Sequence, residues 1–354
     1  MRYGLDNRRL SGGVRGFMHL DLKKRQSISG RVGRYVKQFN NNDPIGELIN
    51  TGYTLFEKQN FIKLYQKDQI EISYEQEIIP GLFTSVDLNY SRREALNNTS
   101  YYYWNGPGKR HFTTNNPAYE NIYLPKINPY FNDTSSFSTH QAVQIQVGLK
   151  FLPFAKYETY PNFKVIKTKW PELSMVYRKS IATQNISFNY DFLQMGIGKD
   201  IDLKSVGKIS FDAFAGIFFN TNGMQFIDYK HFSGNQTIFL LNKDNKEIPG
   251  YSNRQEITEF HNLPYYTYST NDRYAEVHLS HNFRGFFISK IPILRKTKFY
   301  EIVGFNGMFT PTARYTEAFV GVDKIFKFFR LDIGSSLQDQ KISPFYRFGF
   351  RLGF

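Results

Sequence analysis

The stretch Gln141–Pro153, QAVQIQVGLKFLP, alternates almost without a break. Val143, Ile145, Val147, Leu149 and Phe151 fall on one side of an extended chain, and Gln144, Gln146, Gly148 and Lys150 on the other. Successive side chains of a strand point to opposite faces, so this period predicts a strand with one apolar and one polar surface. Its length is the second clue. At roughly ten residues it exceeds the five or six of most soluble strands and fits a strand tilted across a bilayer.

The same pattern recurs outward in both directions. In LFTSVDLNY, Leu82, Val86, Leu88 and Tyr90 oppose Ser85, Asp87 and Asn89, and KISFDAFAGIFF, RYAEVHLSHNF and KFYEIVGFNGMF are further cases. The chain stops on RFGFRLGF, where Tyr346, Phe348, Phe350, Leu352 and Phe354 share one face, and Arg347, Gly349, Arg351 and Gly353 the other. Phe348, Phe350 and the terminal Phe354 are the expected assembly signal, because the last strand is an unpaired edge until the sheet closes. On this reading Phe348 meets lipid, and Gly349, on the polar face, tolerates a serine.

Strands are expected at 14–22, 27–38, 69–79, 82–92, 141–152, 172–180, 186–199, 207–219, 273–284, 298–309, 316–323, 327–337 and 345–354. No long amphipathic helix is expected between them. A further segment, 262–270, is set aside because Pro264 interrupts it and because its inclusion inverts the side on which the long loops fall. Without it, 40–66, 93–140 and 220–272 lie outside, and KKRQ, IIPG and IPILRKTK become periplasmic turns. Thirteen strands remain, whereas single-chain bacterial barrels use even numbers. The expectation is one barrel domain over 1–354, the C-terminal part of an all-β, transmembrane antiparallel β-barrel, with strands and a periplasmic domain before Met1. The opening MRYGLDNRRLSGG lacks the apolar core of a secretory signal; taken alone that points to a cytoplasmic protein, and it also fits a chain that begins partway through an exported one, which the strand count favours.

Composition narrows the alternatives. Of 354 residues, 41% are hydrophobic and 18% aromatic, with 35 Phe and 25 Tyr, too apolar for a disordered chain. No Cys is present, which removes disulfides, thiolate metal sites and Cys nucleophiles. Mean hydropathy is −0.47, and no run of about 18 apolar residues could cross a membrane as a helix. The net charge of +14 is spread along the chain with no nucleic-acid-binding signature, so anionic headgroups or a charged lumen are its expected counterpart and nucleic acid is not a partner.

Three constellations invite chemistry. In AEVHLSH, Glu276 and His278 share a strand face while His281 points the other way, so the three do not close a metal site; Glu276 and His278 are expected as polar lumen residues. DYKHFSGN supplies Asp228, His231 and Ser233, the residue types of a hydrolase triad. Proximity in sequence is poor support for a triad, which is assembled by geometry. Asp228, His231 and Asn235 are instead expected on a loop that folds back over the lumen. Tyr101, Tyr102, Tyr103 and Trp104 are expected in an outer loop or an interfacial girdle. No catalytic residue, metal or cofactor is expected.

The stretches QFNNNDPIGELINTGYTLFEKQNFIKLYQKD, IDYKHFSGN, NLPYYTYSTNDRYAEVHLSHNFRGFFISKIPILRK and YTEAFVGVDKIFKFFRLDIGSSL resemble the barrel half of a family of Gram-negative outer-membrane proteins. Members of that family carry an N-terminal carboxypeptidase-regulatory-like domain, and no reaction is established for them. More distantly, FFRLDIGSS and FYRFGFRLGF are similar to the last strands of the Omp85 surface-antigen barrels, which insert or export other proteins. SGGVRGF, Ser11 to Phe17, echoes a Val-Arg-Gly-Phe motif of those barrels, but at the wrong end of the chain. The resemblance implies an outer-membrane location. It also implies lipid, lipopolysaccharide and the barrel-assembly machinery as partners, with other envelope proteins as further ones. Three functions are compatible: non-enzymatic protein or lipoprotein handling in envelope biogenesis, an uptake pore or plugged transporter, and a barrel-embedded hydrolase.

Overall fold

The computed structural model describes residues 2–4, 8–99, 102–104, 112–120, 137–159, 164–181, 189–240, 257–338 and 340–350. The chain enters as β1 (Arg2–Gly4), β2 (Arg9–Asp21) and β3 (Gln26–Gln38), followed by a helix, α1 (Glu47–Glu57), in the first long loop. Next come β4 (Leu64–Ile79), β5 (Leu82–Ala95), β6 (His140–Phe151), a small hairpin β7 (Lys156–Thr159) and β8 (Lys164–Lys167), β9 (Glu172–Ile181), β10 (Asn189–Asp202) and β11 (Lys208–Asn222). A two-residue strand, β12 (Phe239–Leu240), interrupts the longest loop, and β13 (Tyr274–Asn282), β14 (Tyr300–Phe309), β15 (Arg314–Ile325), β16 (Phe329–Gln338) and β17 (Lys341–Phe350) complete the chain.

All but β7 and β8 belong to one sheet in the order β1-β2-β3-β4-β5-β6-β9-β10-β11-β13-β14-β15-β16-β17-β12. Every neighbour pairs antiparallel except β12 with β17, which is parallel. The thirteen strands of nine residues or more coincide with the thirteen expected from alternation. The segment 262–270 forms no strand, in keeping with its Pro264. The helix α1, the hairpin β7–β8 and β12 were not legible; each is short and leaves no sustained period.

Register shows why the sheet cannot be half of a soluble sandwich. Val303, Val320, Ile333 and Tyr346 lie side by side across four strands, and all four are exposed. So are Val32, Ile70 and Leu88 further along the same face. An apolar surface this continuous is what a bilayer-facing wall requires. The neighbouring row points inward, where Gly304, Phe319, Gly334 and Phe345 alternate across the same strands. A Cβ on Gly304 would sit 2.2 Å from the Phe319 ring and one on Gly334 2.6 Å from Phe345. The glycines therefore let two buried rings lie flat on the wall.

The sheet is rolled. The carbonyl of Phe232 accepts a 3.0 Å bond from Asn40 Nδ2, two residues past β3, while its ring lies 5.6 Å from that of Tyr274 on β13. Seven inter-strand steps separate β3 from β13; flat, at about 4.8 Å each, they would span about 34 Å. One residue reaches both only if the strands curl around it. The connections 22–25, 80–81, 152–171, 203–207, 283–299 and 326–328 fall at one end, and the three longest, 39–63, 96–139 and 223–273, fall at the other with the short turn 310–313, as the parity of the sequence required.

Candidate functional site: a loop sealed against the strands

Residues 223–240 and 257–273 fold onto the inward face of the sheet. Their apolar part is aromatic: Phe232, Phe260, Leu263 and Tyr268 pack with Tyr190, Phe192, Tyr274, Met308 and Tyr315 from the strands. A second cluster joins Phe226, Ile227, Tyr265 and Tyr266 to Phe39, Ile62, Tyr65 and Phe137. Each ring removes a large apolar surface from water, and edge-to-face pairs such as Phe260 with Tyr315 fix their relative angle.

Polar contacts then fix the loop at three places. In the first, Asp228 accepts from Arg93 Nη1 on both carboxylate oxygens at 2.8 and 2.9 Å, from Tyr190 OH at 3.0 Å and from Gln144 Nε2 at 3.1 Å. Burial alone would raise the Asp228 carboxyl, but the Arg93 charge together with the hydrogen bonds from Arg93 and Tyr190 outweighs it and holds the group below the usual carboxylate range.

In the second, Lys230 Nζ lies 2.6 Å from Glu276 Oε1, and Glu276 Oε2 is 4.0 Å from His278 Nε2. His278 Nδ1 meets Asn306 Oδ1 at 2.9 Å, and Asn306 Nδ2 donates to Glu317 Oε1 at 2.7 Å. Glu317 also accepts the backbone N–H groups of His261 at 2.6 Å and Asn262 at 2.9 Å. The two stems of the loop are thus joined through side chains on β13, β14 and β15.

The third concerns the end of the sheet. Phe239 pairs with Gly349 and Leu240 with Phe350, so β12 lies along the edge of β17 that β16 leaves open. The Arg347 guanidinium sits 3.9 Å from the centre of the Phe239 ring, and its Nη2 is 3.0 Å from Glu259 Oε2 on the returning stem. A side chain at Gly349 would meet the Phe239 ring at 2.3 Å. The expectation that a serine is tolerated there is therefore corrected: the inward face at 349 is occupied by the loop.

The residues singled out in the sequence are placed as follows. Glu276 and His278 are buried on the inward face, and His281 points the other way, 3.0 Å from the Val206 carbonyl. Asp228, His231 and Asn235 are buried in the loop. The three residue types of a triad do not converge: Asp228 serves Arg93, His231 Nδ1 lies 2.7 Å from Ser269 Oγ, and Ser233 Oγ accepts from Asn42. Burial pushes His231 down to about 3, so it is a neutral ring packed between Phe226 and Tyr266. His261 is likewise held well below its ordinary value, by burial and by Arg347 and Arg330. Asn235 caps its own turn through Thr237 and donates to the Pro44 carbonyl at 2.9 Å. Among the described residues no group of three His, Asp or Glu could hold a metal ion. Trp104 stacks on Phe56 of α1, and Lys58 lies over Tyr103, while Tyr101 lies outside the described residues. On β17, Phe348 is exposed and Phe350 half-buried, whereas Phe354 lies outside the described residues.

Sequence reasoning missed Arg93, Glu259, Asn306, Glu317 and Arg347. Three of them, Asn306, Glu317 and Arg347, occupy inward positions of expected strands, so their face was legible; Arg93 lies one residue beyond the expected end of its strand, which the structure extends to Ala95. Their partners, more than 80 residues away for Arg93 and Arg347, were not.

An outward apolar wall and an inward polar seam closed by a loop define an all-β protein of the transmembrane β-barrel class, a rolled antiparallel sheet with an inserted loop. The family model described as "family of unknown function (DUF5686) C-terminal domain" matches residues 1–322, and the chain belongs to that family. No curated protein matches it. Among solved structures it is similar to the crystal structure of BamA from Haemophilus ducreyi lacking POTRA domains 1–3, with 10% identity and a TM-score of 0.46. The likeness covers 94% of this chain, which spans 60% of that one.

Proposed function

We propose that this chain is the membrane-spanning part of an outer-membrane β-barrel of Gram-negative cells that handles other envelope polypeptides by strand pairing, with loop 223–273 as the resident occupant of the pairing edge. The observation that carries this reading is the parallel pairing of Phe239–Leu240 with Gly349–Phe350. An open strand edge is a template for another strand, and here, among the described residues, only two residues of a loop cover it. The reading includes no reaction of the protein's own, supported by the separate partners of Asp228, His231 and Ser233. Phe348, Phe350 and Phe354 act in this reading as the signal by which the barrel itself is recognised and closed.

The absence of native cysteine allows a direct test. Phe239 and Gly349 are register partners, and neighbouring strands at about 4.8 Å lie within the spacing a disulfide bridges. Phe239→Cys with Gly349→Cys, the first removing the ring that the second would meet, should once oxidised stop the protein from supporting assembly of other outer-membrane barrels, and a reductant should restore it. Full support by the locked form would exclude loop displacement from the function. A second reading, a plugged transporter, is favoured by the ion pairs Arg93–Asp228 and Lys230–Glu276, which a permeating solute could exchange. In that case the locked form loses solute entry and leaves barrel assembly intact.

A further inference from the structure

Across the outward face of β2 to β5, register aligns Gly12, Arg34, Asp68 and Arg92 in one row, and Val14, Val32, Ile70 and Tyr90 in the next. The rows line an open groove of about 600 Å³, within the roughly 300–1,000 Å³ of small-molecule sites. Its polar row lies toward the long-loop end. Arg34 is held by Asp68 in a two-point pair, Nε to Oδ1 at 2.7 Å and Nη2 to Oδ2 at 2.9 Å, which orients its guanidinium and leaves other N–H groups to face outward. Arg92 stands exposed on the far side of the same carboxylate.

We propose that this groove binds a phosphate-bearing, acylated lipid of the outer leaflet, with the phosphate on Arg34 and Arg92 and an acyl chain along Val14, Val32 and Ile70. The inference rests on the outer-membrane reading, which puts the long-loop end at the cell surface. Three observations converge on the occupant. Two arginines flank one carboxylate, leaving a net positive row, and the planar guanidinium fork matches a phosphate. Tyr90, 41% exposed, lies in the row just below, where an amphipathic ring marks the boundary between headgroup and hydrocarbon. Beneath the cations the lining is apolar, with Val14 71%, Ile70 53% and Val32 52% exposed, so the site is amphiphilic along the membrane normal. A soluble anion would use only its upper edge.

The test uses the full-length protein in phosphatidylcholine nanodiscs doped with lipid A, followed by native mass spectrometry. The wild type should retain lipid A after gel filtration in detergent. Arg34→Gln with Arg92→Gln should lower retention about tenfold, and Val14→Trp, which fills the apolar part without touching a charge, should lower it as well. Arg314→Gln, at the long-loop end of a distant strand, should leave it unchanged. Equal retention by the double variant and the wild type would overturn the site, as would equal retention of phosphatidylcholine. If the wild type shows no heat-dependent mobility shift in these discs, the membrane-barrel reading itself fails; a normal shift without lipid discrimination sinks only the groove.

Discussion

Arg93 of β5 and Asp228 of the long loop face each other across the inside of the sheet, with one guanidinium nitrogen 2.8 and 2.9 Å from the two carboxylate oxygens and both side chains buried. Two buried charges this close are costly to separate, because the survivor is left desolvated. Asp228→Ala should therefore weaken loop docking by about 3–5 kcal/mol while leaving the strands paired. Hydrogen exchange should rise in 224–238 and not in β13 to β17. An increase spread evenly over the sheet would mean that the loop is integral to the wall.

Acid should loosen the same segment. His231 sits at about 3 against about 6.5 when free, so the released loop binds the extra proton. Its contribution is complete above about pH 6.5 and is lost progressively as pH falls toward 3. Asp228, also depressed, contributes in the same direction, but only below the ordinary carboxylate value. Protease cutting of the loop should rise between pH 7 and pH 4, and His231→Gln should flatten that rise. A profile unchanged by the substitution would assign the effect elsewhere.

Glu276 carries a comparable role. Glu276→Gln removes the carboxylate 2.6 Å from the Lys230 ammonium and should release the loop with little effect on the sheet, whereas His278→Gln, which can still reach Asn306, should be milder. The measurement is exchange in 257–273 for each variant. A larger effect of His278→Gln would place the weight on the imidazole.

The edge of β17 gives a fourth expectation. Gly349→Ser pushes against the Phe239 ring, so it should dislodge β12 and raise crosslinking of a cysteine at Leu240 to an external thiol reagent. Phe348→Asp should instead lower the amount of assembled barrel, since charge on a lipid-facing position costs up to about 2–4 kcal/mol for basic residues and less for Asp. Phe354→Ser should lower it too, if the terminal ring serves recognition.

The strands were legible because each repeats a two-residue period over many residues, and a wall that is apolar on its outward face keeps that period on every strand. QAVQIQVGLKF needed no partner to be read. The loop was only half legible. Asp228, His231 and Asn235 could be assigned to a segment over the inner face, because a polar and aromatic run between strands has to pack somewhere. That Asp228 meets Arg93, or that Phe239 lies on Gly349, depends on how far the sheet curls, and no local pattern encodes curl. The helix α1 escaped for another reason: its apolar positions Ile49, Tyr53 and Phe56 share one face but repeat over only two turns, too few to stand out in a long polar loop.

The most direct test of the two-faced wall uses single cysteines, since the chain has none of its own. Cysteines at Phe345, Tyr346, Arg347 and Phe348 should be probed in intact membranes with a fluorophore, lipid-borne nitroxide quencher and water-soluble quencher. Positions 346 and 348 should be quenched from the lipid, and 345 and 347, buried on the inward face, should be shielded from both quenchers by the loop. Lipid quenching at 345 and 347, or water quenching at all four, would contradict a bilayer-facing wall backed by a docked loop.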